Sequence, residues 1–118
     1  MSRRIALFLA GLGLPLFAGG CVEPRPKLVV TSPDPVVKVP AIKQAVDDHD
    51  LSATRQMVKD LESDDPAVRF YSIEGLRKLS GQDFGYAWYE EDDLARLESV
   101  KKWQGWLQAQ ESAKAPSP

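Results

Sequence analysis

The chain contains one cysteine, Cys21, and one histidine, His49. A lone cysteine forms no disulfide within the chain, and a lone histidine excludes a catalytic triad or a histidine-based metal site built from one copy. Clustered positive charge is also missing. Acidic residues number 17 against 15 basic ones, and removal of the first twenty residues would take Arg3 and Arg4 with it, leaving 13 basic residues. Displacing counterions from phosphates needs a concentrated basic surface, so no nucleic-acid partner is expected. The longest apolar run is shorter than the roughly 20 residues a bilayer-crossing helix needs, and Gly11, Gly13 and Pro15 interrupt it. At 118 residues there is material for one small core.

That apolar run has the grammar of an export signal. Ser2, Arg3 and Arg4 form a basic start, Ile5 to Phe17 carries no charge, and Ala18, Gly19 and Gly20 supply small residues ahead of Cys21. Residues 1–20 therefore read as a cleaved signal peptide. The twin-arginine alternative is weak, because Ala6 stands where that signal wants an aromatic residue or leucine.

The run FAGGC resembles the lipobox of bacterial lipoproteins, in which a cysteine after small residues is lipidated and becomes the new N-terminus. It departs from the pattern at Ala18, where leucine is usual. The resemblance implies that Cys21 is the lipidation site and that the protein is held on a membrane of the cell envelope; no cofactor is expected. Val22 is not the aspartate that favours inner-membrane retention in enteric bacteria, which points to an outer-membrane address facing the periplasm.

Residues 21–40 hold Pro24, Pro26, Pro33, Pro35 and Pro40, which restrict the backbone and remove hydrogen-bond donors. They read as a helix-free tether, which in polyproline geometry would extend on the order of 60 Å. The alternative is that Leu28 to Thr31 and Val36 to Val39 form an edge strand or lie on the domain.

Residues 41–111 read as an all-α domain. Ala41, Ile42, Ala45 and Val46 mark a short helix ending near Asp47 to Asp50. Leu51, Met57, Val58 and Leu61 mark a second, capped by Asp50 or Ser52. Asp65 and Pro66 open a third helix carrying Val68, Tyr71 or Ser72, Leu76 and Leu79, which Gly81 ends as a left-handed cap. Gly75 within it suits a close helix approach. After the aromatic segment 82–89, the acidic cluster Glu90 to Asp93 starts a last helix, with Leu94, Leu97, Val100, Trp103 or Gln104, and Leu107 as its core face. Residues 112–118 read as a disordered tail.

The stretch LESDDPAVRFYSIEGLRKLSG resembles one HEAT repeat, the two-helix unit of α-solenoids, through Leu61, Asp65, Pro66, Val68, Arg69, Ile73, Leu76 and Leu79. The following segment resembles a C-terminal extension of bacterial HEAT-repeat proteins, through Gly81, Asp83, Phe84, Gly85, Tyr86, Trp103 and Trp106. What the resemblance implies is an antiparallel helix pair closed by a C-terminal helix, serving as a protein-binding scaffold with no catalytic residues. Solenoids usually stack about three repeats, and this chain holds one and a fraction.

Trp88, Tyr89, Trp106 and Arg69 are the candidate partner-binding residues, since aromatic rings and arginine dominate recognition surfaces. An envelope protein is the expected partner; a glycan of the cell wall is the alternative. The acidic groups Asp47, Asp48, Asp50 and Glu90 to Asp93 lack calcium-loop spacing and read as helix starts. Asp83, Phe84 and Gly85 resemble a kinase magnesium motif, but the chain has none of its companion loops. No convergent acid–base set is visible, so the expectation is a non-enzymatic module.

Overall fold

The computed structural model describes residues 26–114, with Gly13 as an isolated position ahead of them; the rest of the expected signal peptide, Cys21 and residues 115–118 lie outside the described residues. The described part is all-helical. The helices are α1 (Pro35–Asp47), a single 3-10 turn (Leu51–Ala53) running into α2 (Thr54–Asp60), α3 (Pro66–Ser80) and α4 (Asp93–Lys114). None of them is long and apolar enough to cross a membrane.

α1, the 3-10 turn, α3 and α4 each start on a side-chain cap, and α2 continues from the 3-10 turn without one of its own. Asp34 Oδ1 accepts from Val36 N at 2.9 Å with Pro35 in the first turn, and Asp65 Oδ1 accepts from Ala67 N at 2.8 Å ahead of Pro66. Asp50 receives Ser52 N, and Asp92 receives Leu94 N. α3 stops at Gly81, whose φ of 72° is comfortable only for glycine. α1 stops in the same geometry without glycine: Asp50 N donates to Ala45 O, His49 N donates to Val46 O, and His49 carries a φ of 50°.

The helix starting at Pro35 corrects the expectation that prolines keep residues 22–40 out of helix. Pro40 sits in the second turn, where it cannot donate to the Val36 carbonyl. Val36 is 80% exposed, so water can serve that carbonyl. On the other side Ala41, Ile42 and Ala45 are buried. The lost bond falls where it is cheap, and the apolar burial that stabilises the helix falls where it counts. Residues 26–31 also lie on the domain: Leu28 N donates to Gln44 Oε1 at 2.7 Å, and Gln44 Nε2 donates to Pro26 O at 3.1 Å. At the other end α4 carries residues 112–114 as helix rather than tail.

α3 packs against both α1 and α2, and α4 packs along α2. The core consists of Ile42, Met57, Val58, Leu61, Ile73, Leu76, Tyr86, Val100 and Trp103 with smaller partners. Gly75 is needed at the α1–α2–α3 junction, since a Cβ there would sit 3.0 Å from both Met57 Sδ and Val46 Cγ2. Two leucines depart from the expected core faces. Leu51 and Leu94 are both exposed, because each stands at a helix start where the chain has not yet turned onto its neighbour.

Candidate interaction surface

The segment between α3 and α4 is fastened from beneath. Arg69, 5% exposed, donates from Nε to Trp88 O at 2.9 Å and from Nη1 to Ser63 O at 2.7 Å. Arg77 Nη2 reaches Tyr86 O and pairs with Asp83 at 3.0 Å, and the Tyr86 hydroxyl donates to Leu61 O. Burial pushes the Tyr86 phenol up to about 12, with Arg96 and Arg69 opposing the shift more weakly. Ser99 Oγ donates to Phe84 O at 2.9 Å and ties the same segment to α4. A loop of irregular backbone thus carries side chains at fixed positions.

On that support stands a row of rings. Tyr71 meets Phe70 at 5.1 Å between centroids, Phe70 meets Trp88 at 5.2 Å, and Trp88 meets Tyr89 at 5.7 Å, all edge to face. Lys43 Nζ lies 4.9 Å above Tyr71. Trp88 is half-buried and Tyr89 is 68% exposed. Phe70 and Tyr71 extend the row into a groove of about 310 Å³ between α1 and α3, floored by Ile42, Val46 and Gly75 and rimmed by Lys78 and Glu74.

The four candidate residues therefore divide. Trp88 and Tyr89 are neighbours on the ring row. Arg69 sits beneath it, 5% exposed, with Nε and Nη1 each donating to a loop carbonyl. Trp106 is elsewhere, half-buried against fully buried Trp103 at 5.5 Å and lining a depression with Leu51, Leu79 and Gln110. Phe70 and Leu79 are nine residues apart on α3, about 14 Å along its axis. Sequence reasoning missed Phe70, which follows Arg69 directly. Its signal was a large ring one position off the buried stripe of α3.

The acidic groups have structural occupations. Asp50 and Asp92 cap helices, Asp93 pairs with Arg96, and Asp83 pairs with Arg77. The hydrogen bond from Ser52, with a smaller contribution from Lys27, holds the Asp50 carboxyl below its ordinary value. Asp47 and Asp48 close α1 rather than starting a helix. Among the described residues no three His, Cys, Asp or Glu side chains converge as a metal site would require.

Comparison with protein-family models, with curated proteins and with solved structures found no match to this chain.

Proposed function

We propose that this protein is a lipid-anchored envelope protein whose helical domain acts as a non-enzymatic docking module, using the ring row Tyr71, Phe70, Trp88 and Tyr89 and the adjoining groove. The observation that carries this reading is the mounting of the row: a large exposed tyrosine and a half-buried tryptophan stand on a loop pinned by a buried arginine. Rings fixed in advance lose little conformational freedom on binding, which is the property shared by recognition hot spots. The anchor half of the reading rests on the lipobox-like run ending at Cys21. HEAT-type architecture is part of the same proposal, supported by the Asp65 cap, Pro66 at the helix start and the buried set Leu61, Val68, Ile73 and Leu76.

The test has two parts. Intact mass and membrane fractionation of the native protein beside Cys21→Ala should show an acylated N-terminus at Cys21 and loss of membrane association in the variant. A photo-crosslinking residue at position 89 should then trap a discrete envelope protein in cells, while the same residue at exposed position 94 on α4 should not. A soluble, unacylated protein would defeat the anchor. Equal crosslinking from both positions would defeat the ring row, and sedimentation with purified cell wall, lost on Tyr89→Ala, would replace the protein partner with a glycan.

A further inference from the structure

We infer that the domain lies down on the membrane surface, with Leu28, Val29, Val36 and Val37 as its lipid-facing residues. This rests on the lipid-anchored reading of Cys21 and adds to it an orientation.

Gln44 holds residues 26–28 from both sides, accepting from Leu28 N at 2.7 Å and donating to Pro26 O at 3.1 Å, so the folded unit begins at Pro26. Only five residue steps separate Pro26 from Cys21, a reach of at most about 18 Å even when fully drawn out. A helix with its side chains is about 10–12 Å thick, so Pro26 stays within one or two helix diameters of the lipid. The tether of roughly 60 Å expected when residues 21–40 are all extended is therefore not available to lift the domain away.

Seven large apolar side chains are exposed among the described residues, and four of them, Leu28, Val29, Val36 and Val37, fall between residues 28 and 37, at the end of the domain that follows Cys21. Val36 is the most exposed of the seven, more so than Tyr89 on the ring row. Asp34, the one carboxylate in this stretch, is exposed and caps α1 by accepting from Val36 N, and Lys27, 83% exposed, pairs with Asp50 at 3.6 Å while leaving its ammonium open to phosphate headgroups. Apolar side chains edged by a lysine are the composition of a shallow interfacial contact. A bilayer is the one surface that the covalent geometry brings to this face.

The experiment is amide hydrogen exchange on the full-length mature lipoprotein in vesicles of phosphatidylethanolamine and phosphatidylglycerol, compared with Cys21→Ala free in solution. The expected result is exchange slowed by about fivefold or more across residues 28–37, with 101–114 on α4 unchanged. Val29→Glu/Val36→Glu, both at exposed positions, should abolish that protection while the acylated protein still floats with the vesicles. Unchanged exchange at 28–37, or protection falling on α4 or on residues 86–90 instead, would overturn the inference. If the native protein carries no acyl mass, the anchor reading fails separately. Coupling the single cysteine to a maleimide-headed lipid then imposes the same short link, and the same exchange pattern decides whether this face settles on lipid.

Discussion

Lys38 Nζ lies 2.6 Å from Asp60 Oδ1 inside the domain, joining the first helix to the second through two side chains that are nearly withdrawn from water. Gln56 Nε2 donates to the same oxygen at 2.9 Å, whereas Asp60 Oδ2 has no partner. The pair makes α1 part of the domain in a way that apolar packing alone does not, since it fixes which residue of α1 stands opposite which residue of α2.

Breaking that pair from one side should be costly. Asp60→Ala leaves a buried ammonium uncompensated, and a loss of about 3 kcal/mol is expected. The double variant Lys38→Met/Asp60→Leu should recover most of it, because two apolar groups of similar size remove both charges together. Urea unfolding of the four-member cycle measures this; a double variant as unstable as the single one would show that the pair is needed for its geometry.

Arg69 should behave as a loop anchor. Arg69→Ala removes two charge-assisted hydrogen bonds and leaves the carbonyls of Trp88 and Ser63 unserved, which costs about 2–3 kcal/mol. Arg69→Lys should rescue little, since an ammonium on one stem does not reproduce the forked geometry. Faster amide exchange across residues 82–89 together with weaker binding at the ring row is the expected signature; lost binding with that loop still protected would instead make Arg69 a contact.

Tyr86 gives the domain an alkaline limit. Its phenol is pushed up to about 12 by burial, so the folded state holds the proton through a range in which the unfolded chain, near 10, releases it. The contribution is complete below pH 10 and is lost as pH rises from about 10 to 12, a fall of about 2 kcal/mol. Tyr86→Phe should be less stable at pH 7 through the lost bond to Leu61 O, yet show a shallower decline above pH 10. Denaturant midpoints of both proteins from pH 7 to 11 test this, and parallel curves would assign the alkaline loss to other groups.

His49 occupies a position made for glycine. With φ at 50° it ends α1 in the left-handed conformation, and its own N–H and that of Asp50 are both used to close the helix. The side chain is exposed, so His49→Gly should stabilise the domain by about 1 kcal/mol through relief of that strain. A thermal melt is sufficient, and a lower melting temperature would show that the imidazole makes an interaction worth more than the strain.

Much of the fold was legible because its signals are local. Asp65 before Pro66, Gly81 after Leu79 and the acidic cluster before Leu94 act within one helical turn, and each boundary falls where those residues place it. The close approach at Gly75 was legible too, since only a tight junction rewards glycine inside a helix. α1 was misread for the opposite reason. Proline counts against helix locally, and what overrides it is Lys38 meeting Asp60 and Ile42 meeting the core, contacts 22 or more residues away in sequence.

The candidate surface divides along the same line. Trp88 and Tyr89 are adjacent in sequence, so their common place on the loop follows from the chain itself. Phe70 joins them across 18 residues, Trp106 is carried away by the direction of α4, and Arg69 is turned inward by carbonyls on two separate loops. The sequence by itself determined the helical class, the two ends of α3 and the resemblance at Cys21, because capping, φ preference and apolar periodicity act between near neighbours. Only the tertiary structure decided that residues 26–28 are tied to Gln44, that Pro35 starts a helix and that Arg69 is buried, because each depends on contacts between residues distant along the chain.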